Sequence, residues 1–547
     1  MENKRYTLGL DFGTLSVRGV IADELGNCIA EATCDYPHGV MDDKLPSGIS
    51  LPARFALQHP SDYLTSARRV VTEAVAVAGI SASAVVGVGI DFTGCTMLPV
   101  DEELVPLCLK DEFANEPHAY VKLWKHYGAM EEAAVINAVA RERGEGWLAS
   151  YGGSVSPEWL LPKILETANK APLVYAATYR FVEAADWLTW VLTGEESHSA
   201  GFAGYKALWN DETGYPSSEF MEAVSPALSG IVGTKISTKV ISVGACAGYL
   251  TASGAALLGL CPGAAVSTPC LDAHSPMPAL GMDRPGELML IVGTSGVQVV
   301  NATERKEFGG YLGCCKDAII PGLYSYETGQ AAVGDIFDWF VKNCVPASYE
   351  AEAQQRGIGI HKLLREKAAR LAVGEGGLVA LDWHNGNRSP LADPALSSVM
   401  LGMTLATRPE HMYRAWLEAS VFGTKSIVDN LEAGGVHVTR AVAAGGIALK
   451  DELLMQIFAD VLGINVEVSA SAQAPALGSA AYAAVAAGIY PSLNAAARAF
   501  ERPMHKVFYP IPENREAYAR LYREYKTLEE YFAKGENDAM KRLKGLK

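Results

Sequence analysis

Residues 7–23, TLGLDFGTLSVRGVIAD, set two apolar runs on either side of a tight Asp-Phe-Gly-Thr-Leu-Ser turn. Runs rich in Val, Ile and Leu, broken by a glycine-containing turn, predict two strands joined as a hairpin. Asp11 ends the first strand, and Gly13, Thr14 and Ser16 stand in the turn or at its edge. A buried strand gains nothing from a carboxylate at its end, because desolvating a charge is costly. Glycines, however, let successive N–H groups face one concavity, a nest suited to phosphate oxygens, and the hydroxyls add donors. Taken alone, the turn reads more simply as a plain hairpin than as half of a phosphate site.

A second turn of this kind lies in residues 287–303, ELMLIVGTSGVQVVNAT, with Gly293, Thr294 and Ser295 between two further apolar runs. A third glycine-rich element, AAGGIALKDE at 443–452, reads as a strand feeding a helix. Without side chains at Gly445 and Gly446, a flat adenine or a ribose can lie on the backbone; a simple turn is the plain alternative. Two hairpin turns in separate halves plus this element favour nucleotide binding. The chain has no Gly-x-x-x-x-Gly-Lys-Ser/Thr run, and GVGIDFTGCT is not Gly-x-Gly-x-x-Gly, so a P-loop and a Rossmann fingerprint are both excluded.

The length of 547 residues exceeds one core and predicts two domains or more. Hydrophobic residues at 49% and charged residues at 20% describe a globular chain. A net charge of −16, with no basic cluster before the short terminal MKRLKGLK, disfavours a nucleic-acid surface. The charged opening MENKRYT does not read as a secretory leader. No uncharged apolar run reaches the roughly 20 residues of a membrane span. The nearest, ALGSAAYAAVAAGIY at 476–490, predicts a buried helix with close backbone approach. Ten scattered cysteines without a Cys-x-x-Cys pair fit reduced thiols in a cytoplasm, not a disulfide framework or a zinc site.

Short β-rich stretches alternate with longer helical ones, which predicts an α/β fold. PSDYLTSARRVVTEAVAVAG at 60–79 predicts an amphipathic helix, with Ser61 as N-cap and Gly79 as C-cap. Residues 112–194 read as mainly helical. AVVGVGIDF followed by CTMLPVD repeats the strand, Asp, Gly/Thr, strand theme at Asp91. The Pro/Gly stretch LCPGAAVSTP places a boundary near 265, giving domains 1–265 and 266–547. The duplicated hairpin suggests two related domains facing a cleft.

CLDAHS puts Asp272 just after a short apolar run at that boundary. A carboxylate there can accept a proton from an attacking hydroxyl, or help hold a magnesium ion through water, with Asp11 as the second candidate ligand. A turn or helix cap is the plain alternative. Polar residues also lie among aromatics: Trp124 in VKLWKHY, Lys206 in AGYKALW and Glu327 in YSYETGQ. Polar groups beside aromatic faces suit the hydroxyls and C–H patches of a polyol.

In this order, DFGTLSVR, an Asp at the domain junction, GTS and AAGGIA resemble the sugar-kinase branch of the actin, hexokinase and heat-shock chaperone superfamily. Over essentially its whole length the chain resembles the FGGY carbohydrate kinases. SPEWLLPKILE is similar to the first family signature, with Glu166 where a Trp is usual; SVMLGMTLATRPEHMYRAWLE is similar to the second, with Trp416 where a small or β-branched residue is usual.

The resemblance implies an α/β chain with two ribonuclease-H-like (actin/hexokinase-type) domains around a central cleft. The segments GIDFTGCTMLPVD, KLWKHY, YETGQAAVGD and DWHNGNRSPLAD resemble the branch that phosphorylates the 5-hydroxyl of L-ribulose with ATP and Mg²⁺ in bacterial arabinose breakdown. By motif match, Asp272 becomes the catalytic base. Asp11, Gly13, Thr14, Ser16 and Arg18 fall on the first phosphate hairpin, and Gly293, Thr294 and Ser295 on the second. Gly445 and Gly446 fall on the adenosine loop. Gly94, Trp124, Lys206, Asp272 and Glu327 fall on sugar-binding positions, and Asp11 and Asp272 serve the metal. The implied enzyme is cytoplasmic, takes a small sugar and MgATP, has no nucleic-acid or membrane partner, and leaves a homodimer open. A kinase for xylulose, ribitol or glycerol is the first alternative. A nucleotide-gated chaperone or regulator on the same fold is the second, and the Trp124, Lys206, Asp272 and Glu327 group has no role in it.

Overall fold

Tyr6–Phe12 (β1) and Ser16–Asp23 (β2) pair antiparallel, with Asp11 opposite Arg18 and Phe12 opposite Val17. The computed structural model describes residues 4–471, 473–535 and 537–546. Cys28–Asp35 (β3) extends the hairpin on the outer side of β2. The helix Pro60–Ala78 (α1) then carries the chain to Val85–Phe92 (β4), which lies parallel to β1 on its other side. Gly79 closes α1 in the left-handed region at φ +64°. The N-cap is His59, however, not Ser61: Pro60 takes the first helical position, where its fixed φ and missing N–H cost nothing.

Met97–Val100 (β5) does not form a second hairpin with β4. It joins Val121–Lys122 (β6), Arg180–Glu183 (β7) and Leu57–Gln58 in a separate four-stranded sheet. Residues 112–194 are mainly helical, as expected, but two short strands within them, β6 and β7, pair with distant segments, a tertiary effect that local pattern does not carry. The helices of this region include Leu160–Lys170 (α2), followed further on by Ala200–Lys206 (α3). Cys246–Tyr249 (β8), Ala265–Ser267 (β9) and Cys270–Leu271 (β10) complete the main sheet, in the order β8–β9–β4–β1–β2–β3, with β10 also on β4.

The helix Ala474–Ala486 covers one face of this sheet, and small residues make that possible. A Cβ built on Gly9 would fall 1.7 Å from the Ala476 carbonyl oxygen, and one on Gly89 would fall 1.9 Å from that of Ser479. The Ala/Gly-rich stretch is thus a buried helix seated backbone to backbone on β1 and β4. Gly19 faces the other way and receives Val70 of α1, as strand alternation requires.

The chain divides into two units: Met1–Asp283 with Gly313–Ser325 and Gln473–Arg502, and Arg284–Leu312 with Tyr326–Ala472 and Pro503–Lys547. The first unit runs beyond 265 because the Pro/Gly stretch there leads into β9 and β10, which belong to its sheet. In the second unit, Glu287–Val292 (β11) and Gly296–Ala302 (β12) form the second hairpin, with Val292 opposite Gly296. Tyr324–Gln330 (β13), the helix Gly334–Cys344 (α4) and the long helix Pro409–Ala433 (α5) follow. Arg440–Ala444 (β14) lies parallel to β11, as β4 does to β1. Gly446–Lys450 (α6), Val466–Ser469 (β15) and Met504–Phe508 (β16) give the order β13–β12–β11–β14–β15–β16.

Candidate active site

The parallel strands of the first unit bring three carboxylates to one edge of its sheet. Asp11 on β1 stands directly opposite Asp91 on β4, and the Phe12 and Phe92 rings behind them stack with centroids 4.8 Å apart. On the other side of β4, Cys270 of β10 pairs with Asp91, and the Asp272 N–H donates to the Phe92 carbonyl at 2.9 Å. Asp91 is fully buried. The Ser479 hydroxyl donates to its Oδ2 at 2.6 Å, while its Oδ1 has no hydrogen-bond partner among the described residues. Burial, then the charge of Asp11, pushes the Asp91 carboxyl well above the usual carboxylate range, and Asp272 adds to the effect. Burial also raises Asp11, against the pull of Arg18, whose Nη1 donates to Asp11 Oδ2 at 3.0 Å.

At the first turn, the Gly13 N–H donates to the Ser16 carbonyl at 3.0 Å. Thr14 is held from two sides: Gln58 Nε2 donates to its carbonyl at 2.7 Å, and the Trp124 indole N–H donates to its hydroxyl at 3.1 Å. Gly94 follows β4, where an added Cβ would fall 2.8 Å from Leu271 Cδ2 and 3.5 Å from Lys206 Cε. The missing side chain therefore lets Lys206, at the end of α3, and Leu271, the neighbour of Asp272, come together. Asp11, Gly13, Thr14, Ser16, Arg18, Gly94, Trp124, Lys206 and Asp272 all belong to the first unit. Glu327 lies on β13 in the second unit, where it is buried.

In the second unit, the Gly293 N–H donates to the Ser295 carbonyl at 3.1 Å, and the Thr294 carbonyl accepts from the Val333 N–H at 2.9 Å. Gly445 holds φ +103°, and a Cβ there would fall 2.8 Å from the Val292 carbonyl oxygen. Only glycine satisfies both constraints. Gly293, Thr294 and Gly446 line one cavity of about 510 Å³, with Asp335, Asp338, His361, Arg365, Tyr413, Lys450 and Asp451 among the other walls. Ser295 and Gly445 shape the two turns beside it. Its volume is that of a small-molecule site. The carboxylate oxygens of Asp11 and Asp272 are the donor type that suits a hard divalent cation such as Mg²⁺.

Sequence reasoning missed Asp91 as a third acid. The signal was present: GLDF and GIDF end two strands in the same way, and parallel pairing in register sets their acids opposite each other. It also missed the α4 and α5 side chains of the cavity, whose contribution depends on packing between distant helices.

A hairpin turn beside an acid cluster in one unit, and a glycine-floored cavity in the other, define a phosphate-handling enzyme. Residues 6–277 match the FGGY family of carbohydrate kinases, N-terminal domain, and residues 288–487 match its C-terminal domain. The chain belongs to the FGGY family of carbohydrate kinases, and is thus an ATP-dependent sugar kinase that works with Mg²⁺. It is 48% identical over 550 residues to the ribulokinase of Shouchella clausii, covering 100% of this chain and 98% of that one. To the ribulokinase of Geobacillus thermodenitrificans it is 46% identical over 546 residues, 99% of this chain and 97% of that one. In fold it is similar to the xylulose kinase of Rhodospirillum rubrum, with a TM-score of 0.78 at 24% identity over 96% of this chain and 98% of that one. A ligand-bound xylulose kinase of Lactobacillus acidophilus gives 0.79 at 17% identity, covering 97% and 99%. With the family established, the chaperone alternative falls away. Among the described residues, no helix is long and apolar enough to cross a membrane.

Proposed function

We propose that this kinase transfers the γ-phosphoryl group of ATP to the 5-hydroxyl of L-ribulose, giving L-ribulose 5-phosphate, as a cytoplasmic step of L-arabinose breakdown. The grouping of Lys206 and Leu271–Asp272 around Gly94 carries the reading, together with near-full-length similarity to proteins named ribulokinase. Asp272 accepts the proton of the 5-hydroxyl as that oxygen bonds to phosphorus and the bond to the ADP oxygen breaks. Lys206 donates to sugar oxygens, and Trp124, held by Thr14, offers its ring to the sugar's C–H face. Glu327 is assigned to a sugar hydroxyl. The Gly13–Ser16 and Gly293–Ser295 turns bind phosphate oxygens through backbone donors, with Arg18 adding positive charge. The Gly445–Gly446 turn seats the adenosine. Asp11 and Asp272 hold the magnesium ion, which when bound neutralises charge on the phosphates.

The test is coupled ADP release with L-ribulose, D-ribulose, xylulose, ribitol and glycerol. L-Ribulose is expected to give the highest kcat/KM. Turnover with glycerol alone, or ATP hydrolysis indifferent to all five, would overturn the assignment.

A further inference from the structure

We infer that Glu166 is a positioning residue for sugar recognition: its buried carboxylate grips both shoulders of Trp124 and so fixes where the indole stands. The inference rests on the reading that Trp124 faces the sugar. Glu166 lies on α2 and is sealed from solvent, as are Lys122, His126 and Lys163. Lys122 Nζ donates to Glu166 Oε2 at 2.7 Å, and His126 Nε2 lies 2.9 Å from the same oxygen. These two residues bracket Trp124 at two positions on either side. Lys122 spends its remaining donors on Thr167 Oγ1 at 2.8 Å and the Lys163 carbonyl at 3.1 Å, so its three N–H groups are all engaged.

Helical spacing sets Lys163, Glu166 and Thr167 on one face of α2. From that face, Lys163 Nζ donates to the Leu123 carbonyl at 2.9 Å and the Cys95 carbonyl at 2.5 Å. One helix face thus anchors the backbone next to Trp124 and the backbone next to Gly94. Gly128 closes the cluster: a Cβ there would fall 2.3 Å from Glu166 Oε1 and 2.6 Å from His126 Nε2.

Burying these charges costs desolvation, and an apolar side chain of similar bulk would fill the same space at less expense. Charge placed here instead buys geometry, since the anchored backbone is the part that carries Trp124. Trp124 is 37% exposed and its indole N–H donates to Thr14, while α2 holds the backbone and side chains on either side of it.

The full-length enzyme is assayed with L-ribulose and ATP as Glu166→Gln, Glu166→Asp, Thr167→Val and Trp124→Phe. Glu166→Gln is expected to raise the KM for L-ribulose about 10-fold while the KM for ATP moves less than about 2-fold, with partial rescue in Glu166→Asp. Added to Trp124→Phe, it should cost less than about 2-fold more, because both act through one ring. Thr167→Val removes a Lys122 acceptor without stranding a charge; it should raise the same KM about 2–3-fold, and it decides the matter if Glu166→Gln does not fold. Equal rises in both KM values, or an unchanged sugar KM in the folded variants, would overturn the inference. If Trp124→Phe leaves the L-ribulose KM unchanged, the reading of Trp124 fails instead.

Discussion

Asp11 and Asp91 stand directly opposite each other on adjacent parallel strands, yet their surroundings differ. Asp11 is paired with the half-exposed Arg18, whereas Asp91 is fully enclosed and accepts from the Ser479 hydroxyl. On the proposed reading Asp11 holds the cation, and Asp91 is a structural acid beside it. Asp11→Asn is expected to lower kcat/KM by about 100-fold or more and raise the Mg²⁺ concentration for half-maximal rate. Asp91→Asn, which keeps the shape and the Ser479 contact, should stay within about 10-fold of the parent. Steady-state ADP release across a Mg²⁺ series checks the pair, and the reverse order of severity would refute the division of roles.

Asp272 holds its place through its backbone, which bonds to Phe92, and its Oδ1 accepts from the Ala273 N–H at 2.7 Å. Asparagine preserves that acceptor but cannot take a proton. Asp272→Asn should therefore fold normally, bind both substrates, and lose about 10²–10⁴-fold in kcat. Near-parental turnover in a folded Asp272→Asn enzyme would remove the general-base assignment.

The first-unit sheet tests the close seating of the Ala474–Ala486 helix. A Cβ at Gly9 would lie 1.7 Å from backbone oxygen, so neither the helix nor β1 can yield cheaply. Gly9→Ala is expected to cost more than about 3 kcal/mol, beyond ordinary overpacking. Gly146→Ala, where nothing lies within 4 Å, should stay within about 0.5 kcal/mol. Thermal melts of the purified variants report the difference, and equal midpoints would contradict the packing described here.

The same helix shows what the sequence could and could not tell. Its Ala/Gly content announced close approach, and the glycines of TLGLDF and VGVGIDF were visible. That these glycines receive a helix some 390 to 470 residues further along is a matter of tertiary pairing, which no local pattern encodes. The two phosphate-type turns were legible because glycine and hydroxyl chemistry is local. Asp272 was legible as an acid after a strand. The Lys122–Glu166–His126 cluster was not, although Glu166 stood out as a departure from the family signature. A lone Glu on an apolar helix reads as a surface residue until the strand carrying Lys122 is laid beside it. Pro60 overrode Ser61 as the start of α1 for the opposite reason: a strictly local constraint outweighed a weaker local preference.

Acid stability separates buried histidines from buried acids. His198 is enclosed, with Nδ1 2.9 Å from the Tyr215 hydroxyl, and burial lowers its pKa to about 4. In the unfolded chain it protonates near 6.5. Below that pH the unfolded state binds the proton and the folded state does not, so this group's contribution is intact above pH 6.5 and is lost as the pH falls toward 4. Glu183, raised to about 7 by burial, runs the other way: its folded form takes up a proton first and gains on acidification. The whole-protein slope mixes both signs, so a difference measurement is required. His198→Phe is expected to be less stable than the parent at pH 7.5, with the gap narrowing by up to about 2 kcal/mol by pH 5.0. Urea unfolding at both pH values, followed by tryptophan fluorescence, measures it. A gap that stays constant would refute the lowered pKa, and one that widens on acidification would mean that folded His198 holds its proton more tightly than the unfolded chain, with Asp186, whose Oδ2 lies 3.6 Å from its Nε2, as the counter-charge.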